Sequence, residues 1–306
     1  AVAITYLACN LGFSAAMLNP FTVGIAQSIA GIQLYSGVEF RTLVWFVSTL
    51  VGCGFVMFYA MKIKKNPELS PMFEHDQVKR EKLKSTESEH TEFTLRHKII
   101  IAALFTSIAL VVYGVLKLEF WIPQIAAVFL GLGIISGLVG KLAPNEIAEA
   151  FTDGAKDMIG AAIMIGLAKS VMIIAQNANI IDTILFNLAN VVGQLPSLIA
   201  SYIMFVIQMF INFFVSSGSG QAALTMPILA PLGDLVGISR QLSVLIYQLG
   251  DGFSNAMFPT SGVLIACLGM AGVPYGKWLK WILPLQAILF MTAIVFITIA
   301  SLIGWA

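Results

Sequence analysis

Residues 250–262 read GDGFSNAMFPTSG, inside an otherwise apolar stretch from about Leu242 to Gly272. Asp251 is the carboxylate in that stretch, and an ionisable side chain at membrane depth is expensive and usually functional. It can meet a cationic solute group, a coupling proton or Na⁺. It can also simply cap a half-helix or pair with a lysine such as Lys169, which is itself open to reading as a solute contact or a snorkelling cation. The neighbouring residues do not complete a covalent machine. A serine intramembrane protease needs Gly-x-Ser-Gly and a membrane histidine as base. Residues 217–220 read Ser-Gly-Ser-Gly, and His75, His90 and His97 all lie in one polar loop. An aspartyl protease needs two membrane aspartates, and the other candidates, Asp182 and Asp234, lie nearer interfaces. Cys9, Cys53 and Cys267 stand singly in apolar runs, without metal or disulfide spacing, and read as buried inert thiols. The chemistry expected is non-covalent binding with no catalytic residue, no metal and no resident cofactor.

The polar stretch has a partner. Residues 12–22, GFSAAMLNPFT, match residues 252–261, GFSNAMFPTS, at five of the first six positions. Pro20-Phe21-Thr22 then answers Pro259-Thr260-Ser261, and AGI at 30–32 answers AGV at 271–273. Each copy interrupts an apolar span. Proline removes a backbone donor and glycine permits non-helical angles, so each copy should open a helix in mid-membrane. Lipid cannot satisfy the freed backbone groups, which must be buried in protein or face a cavity that holds solute. Half-helix N-termini suit an anionic group, and freed carbonyls suit a cation. SSGSGQ at 216–221, midway between two apolar arms, reads as a hairpin tip whose amides and hydroxyls can cradle an oxyanion.

The elements that carry these residues are membrane spans. Hydrophobic residues make up 58% of the 306 and charged residues 11%, with a mean hydropathy of +0.89. Soluble domains carry about 25% charged residues, so the composition indicates a polytopic membrane protein. Of 33 charges, 16 fall between Lys62 and Lys98, and the net charge of +1 offers nucleic acid nothing to bind. Apolar runs long enough to span occur near 42–60, 98–117, 120–140, 158–176 and 282–304. The expected segments are a broken helix over 1–37, a span over 38–61 and a polar loop over 62–97. A second repeat then fills 98–306, with a hairpin at 196–237 and a broken helix at 242–272. Lys62, Lys64, Lys65, Arg96 and Lys98 make the loop cytoplasmic by the positive-inside rule. Counting spans from there puts Lys141, Lys277 and Lys280 inside and the C-terminus in the periplasm, so the two copies cross in opposite directions. Residues 145–158 carry Ile147, Phe151 and Met158 at helical spacing and read as a helix lying on the cytoplasmic interface. The first residue, Ala1, lies in an apolar run without a basic leader, which reads as a fragment lacking its N-terminal part.

Inverted repeats with glycine- and proline-broken helices at matching places mark secondary transporters. A passive channel is the rival; duplicated breaks favour a closed site with alternating access. Amide- and hydroxyl-rich tips suit carboxylates, and Asp251 suits an added amine or guanidinium, which favours an amino acid over a plain dicarboxylate. Coupling to Na⁺, to H⁺ or to exchange stays open.

Five segments together carry a family resemblance: NPFTVGIAQ at 19–27, EAFTDGAKDMIGAA at 149–162, SSGSGQAALTMPILAPLGD at 216–234, GDGFSNAMFPTSG, and VPYGKWLKW at 273–281. They resemble the C4-dicarboxylate anaerobic carrier family over essentially the whole chain, nearest its YfcC-like branch of basic amino acid antiporters. The resemblance implies the ion transporter superfamily: an all-α inner-membrane protein of bacteria, with a dimerising scaffold domain and an elevator-like transport domain. It implies a homodimer in a lipid bilayer with a small-molecule substrate. Carried over by position, the site would draw on Ser14, Asn19 and Thr22, on Ser216, Ser217, Gly218, Ser219 and Gly220, and on Ser254, Asn255, Thr260 and Ser261. The family's first hairpin should precede residue 1, so these positions form only part of its site.

Overall fold

The structure is a computed structural model that describes residues 2–74, 76–77, 93–118, 120, 122–180, 183, 187 and 190–305. His75, His90, Asp182 and the side chains of Met158 and Lys169 lie outside the described residues. Among the described residues there are helices and no strands. The chain is a polytopic membrane protein. In chain order the helices are α1 (Ala8–Ser14), α2 (Ile25–Ala30), α3 (Val38–Lys65), α4 (Leu95–Lys117), α5 (Ile122–Gly140) and α6 (Pro144–Asn177). After them come α7 (Ser197–Phe214), α8 (Gly218–Leu235), α9 (Arg240–Ser254), α10 (Gly262–Ala271) and α11 (Tyr275–Leu302). Wide π-helical turns, Ala3–Leu7 and Pro20–Gly24, lead into α1 and α2. Four stretches among the described residues, Val38–Lys65, Pro123–Gly140, Ser197–Phe214 and Tyr275–Leu302, are long and apolar enough to cross a membrane.

The chain forms two compact units, Ala1–Glu74 with Gly160–Ala306, and His75–Ile159. In the smaller unit α4 packs on α5. Gly133 and Gly137 of α5 leave the hollows that Phe151 and Ile147 fill: an added methyl would come within 2.6 Å of either side chain. Residues 145–158 are helical, as the sequence suggests. Those residues open α6, which runs unbroken to Asn177, and their apolar stripe has a protein partner in the α5 glycines.

The larger unit holds the core, built around α9, which is buried on every side from Gln241 to Ser254. The long helix α11 packs on it, and α3 packs antiparallel on α11, 28 residues each. Phe40 meets Trp305 and Phe296, at 4.8 and 5.9 Å between ring centroids, while Phe55 and Tyr59 each meet Trp281 at 5.2 Å. The pairing brings Lys62, Lys64 and Lys65 to the same end as Lys277 and Lys280. Ser36, Ser239 and Trp305 gather at the other end, where the Ser239 hydroxyl donates to the Trp305 carbonyl. Cys9 and Cys53 are exposed and Cys267 is half-buried, which corrects their reading as thiols buried in protein.

Candidate functional site

Both motif copies fold to the same plan. In the first, α1 ends at Ser14, the chain opens over 15–19, and the helix resumes from Pro20 to Ala30. In the second, α9 ends at Ser254, the chain opens over 255–261, and α10 runs to Ala271. Each second half-helix stops at a glycine in the left-handed region, Gly31 (φ +68°) and Gly272 (φ +63°). The residue after it donates back to a carbonyl five positions earlier, Ile32 to Gln27 at 3.1 Å and Val273 to Leu268 at 2.9 Å. The matching serines behave alike as well: the Ser14 hydroxyl bonds the Asn10 carbonyl, and Ser254 bonds that of Gly250 at 2.6 Å.

The copies lie side by side and run in opposite directions. The Tyr6 hydroxyl donates to the Asn255 carbonyl (2.9 Å), Asn10 Nδ2 to Gly252 O (3.1 Å), Gln248 Nε2 to Ala16 O (2.6 Å) and Arg240 Nη1 to Ala30 O (2.6 Å). Residue number rises along one copy as it falls along the other, so the repeat is inverted. The carbonyls freed by the second break are mostly taken by the protein. Asn255 O receives Tyr6, Ala256 O receives Trp278 Nε1 (2.9 Å), Met257 O receives Tyr275 (2.6 Å) and Thr260 O receives Ser216 (2.6 Å).

The hairpin of α7 and α8 turns at 215–217, and its tip reaches the two breaks. A methyl added to Gly218 would lie 2.7 Å from Thr22 Cγ2, 3.2 Å from Asp251 Oδ2 and 3.7 Å from Phe13 Cε2. One residue of the tip therefore touches both copies. Two hydrogen bonds hold it down: Tyr247 to the Gly218 carbonyl (2.6 Å), and Ser216 to the Thr260 carbonyl. Asn212, in the descending arm, donates to Asp251 O (2.9 Å), Ser254 Oγ (2.8 Å) and Asn255 Oδ1 (3.1 Å). Asp251 is fully buried. Neither carboxylate oxygen has a well-formed hydrogen bond, although the Asn255 side chain lies close by. Thr22 Oγ1, Thr260 Oγ1, Asn212 Oδ1 and Asn10 Oδ1 are likewise buried and unpartnered. Buried polar atoms are normally satisfied, so this cluster marks the junction as the candidate site.

A family model described as "C4-dicarboxylate anaerobic carrier" matches residues 1–302. The chain belongs to the C4-dicarboxylate anaerobic carrier family. It is similar to a protein of Escherichia coli (strain K12) named "Putative basic amino acid antiporter YfcC", 41% identical over 315 residues, 99% of this chain and 62% of that one. An uncharacterised protein of Haemophilus influenzae is 33% identical over 292 residues, 95% of this chain and 57% of its own length. The chain thus spans about three-fifths of these curated relatives, 62% and 57%. No solved structure matches it. The family description and the name of the Escherichia coli relative are those of transporters.

The site residues expected from the sequence divide into two groups. Thr22, Gly218, Asp251 and Asn255 converge at the junction. Thr260 and Ser261 border it, the Ser261 hydroxyl 3.4 Å from that of Tyr6. The others have structural tasks. Ser14 and Ser254 back-bond their own helices, and Asn19 caps its half-helix by accepting from Phe21 N at 2.9 Å. Ser217 caps α8 through Gly220 N at 3.4 Å, and Gly220 packs against Ser217 itself. Ser219 lies half-buried beside the tip. Asp251 caps no helix, because it sits three residues before the end of α9. The described ion pairs are Lys156–Asp153 and Arg240–Asp234, and Asp251 is in neither.

Sequence reasoning passed over Asn212, Tyr247, Gln248 and Arg41. Arg41 is 1% exposed and donates to Gln248 Oε1 at 2.8 Å and to Gln241 Oε1 at 3.3 Å. The available signal was a charge at the very edge of an apolar run, a weaker form of the signal that marked Asp251.

Proposed function

We propose that the junction of the two breaks and the hairpin tip binds a small amino acid bearing a cationic group, and that the protein exchanges it across the bacterial cytoplasmic membrane as a secondary transporter. The observation that carries this reading is the set of unpartnered oxygens around Asp251. A buried carboxylate with the Asn255 side chain as its near polar neighbour suits an ammonium or guanidinium, which brings both charge and N–H groups. The name of the Escherichia coli relative agrees with that class of solute. The family description supports a second reading, a C4-dicarboxylate, for which Asp251 would be repulsive. Alternating access through the inverted repeat then needs no covalent step, and a sodium ion or proton is required only if transport is not strict exchange.

The test is solute binding and exchange by the full-length protein in liposomes, with arginine, ornithine and succinate. Asp251→Asn keeps the size of the side chain and removes the charge. Losing one partner of a desolvated charge pair costs about 2–5 kcal/mol, so arginine and ornithine should bind roughly thirtyfold or more weakly. Succinate binding that holds or improves in the mutant, with no effect on arginine, would move the function to the dicarboxylate reading.

A further inference from the structure

The larger unit buries a second unpaired ion. Arg41 is the fourth residue of α3, and no described acidic side chain pairs with it. Its guanidinium sits 5.3 Å from the centre of the Trp305 ring, and its Nε has no acceptor. Gln248 stands between the two ions. Its Oε1 accepts from Arg41, its Nε2 donates to the Ala16 carbonyl in the first break, and Asp251 follows one helical turn later. Cβ atoms three apart on a helix are about 5–6 Å apart, so with the Gln248 side chain and one hydrogen bond added the two charged groups lie on the order of 10 Å from each other.

The repeat supplies an internal control. Trp278 is the fourth residue of α11, as Arg41 is of α3, and it donates directly to the Ala256 carbonyl. By the motif match Ala256 is the counterpart of Ala16, whose carbonyl Arg41 reaches through Gln248. A neutral donor therefore suffices to cap a break, and the charge at position 41 exceeds the structural need. Burying it uncompensated is costly. It is worth that cost only if the charge acts on something.

We propose that Arg41 is a specificity-determining residue, the counter-charge that balances Asp251 in the unloaded junction and sets how the site grades solutes by charge. This rests on the reading of Asp251 as the cation's contact. Arg41 itself touches no solute: it acts by its field and through Gln248. A cationic solute is held firmly enough to be chosen and loosely enough to be released, because Arg41 opposes part of the attraction.

The test compares apparent affinities for arginine (+1), glutamine (0) and succinate (−2) in liposomes carrying the full-length protein, with Arg41→Gln and Arg41→Lys. A unit charge at roughly 10 Å and an effective dielectric of about 20 changes binding of a monocation on the order of tenfold. Arg41→Gln should therefore tighten arginine about tenfold, leave glutamine within about twofold and weaken succinate by about a hundredfold. Arg41→Lys keeps the charge without the planar fork, so it should keep the wild-type grading even where thermal stability drops. Equal shifts for all three solutes in Arg41→Gln, or lost grading in Arg41→Lys, would overturn the proposal. Asp251→Asn, run alongside, separates the two ideas. If it leaves arginine binding unchanged, the functional reading falls and this inference with it. If it weakens arginine while Arg41→Gln shows no dependence on charge, only the inference falls.

Discussion

Gly252 is where the two copies come closest, and replacing it should push them apart. A methyl there would lie 2.4 Å from Ser14 Cα, 2.5 Å from its Cβ and 2.8 Å from its Oγ. The nearest of these is backbone, so no rotamer change relieves the clash. Ser14 is also tied in place, because its hydroxyl bonds Asn10 and Asn10 bonds the Gly252 carbonyl. Overpacking of this kind costs about 1–3 kcal/mol, and the better helix propensity of alanine returns about 0.5–1 kcal/mol. Gly252→Ala should thus be destabilised by about 1–2 kcal/mol, a fall of a few degrees in melting temperature. Because Asp251 is the adjacent residue, transport should fall further than stability does. The repeat provides the matched control. Gly12 occupies the same motif position and has no atom within 4 Å of where a methyl would sit, so Gly12→Ala should be neutral or slightly stabilising. The assays are thermal unfolding in detergent and initial exchange rates in liposomes. Wild-type stability and transport in Gly252→Ala, or damage confined to Gly12→Ala, would refute the close antiparallel contact.

Single cysteines at Ser36 and Ser239 should react with impermeant reagents from one side of the membrane and a cysteine at Lys64 from the other. All three reacting from one side would contradict the antiparallel pairing of α3 and α11. Tyr247→Phe removes the donor that holds the Gly218 carbonyl, a buried group whose loss of partner costs about 1–3 kcal/mol. The hairpin tip should then loosen, and a cysteine at Ser219 should become more reactive to small hydrophilic reagents in that background. Unchanged reactivity would mean that Tyr247 does not restrain the tip.

The breaks were legible because their signal is local. Glycine, proline and hydroxyls cannot sit in a membrane helix without a reason, and GFSAAM and GFSNAM show them twice. The hairpin tip was legible on the same ground. Span limits were less so: the apolar run over 42–60 becomes α3, Val38–Lys65, because a helix continues past the hydrocarbon into residues such as Arg41 and Lys62 that hydropathy excludes. Roles within the site were the hardest to read. A serine near the end of a helix looks like a ligand, yet its cheapest partner is the carbonyl one turn back, which is where Ser14 and Ser254 bond. Nor does any local pattern show that Gln248 will lie between Arg41 and Asp251, 207 residues of separation being bridged by one hydrogen bond.

The differences between the copies say more about the solute than their likeness does. Backbone shape is duplicated down to the left-handed glycine and the back-bonded serine. Charge is not: Leu11 stands where the other copy has Asp251, and Trp278 where the other has Arg41. Leu11 uses its position for packing, seated so tightly on Gly52 that an added methyl would meet its Cδ1 at 2.0 Å. A duplicated scaffold with unduplicated charges gives the two breaks opposite electrostatic character, negative beside Asp251 and positive on the side that Arg41 reaches through Gln248. On the reading proposed above, a dianion is repelled by Asp251 and gains only from Arg41. The two charges then act together on a cationic solute, Asp251 drawing its cation and Arg41 limiting how tightly it is held. The inverted repeat duplicates the backbone of the breaks, and each charge falls on one copy alone.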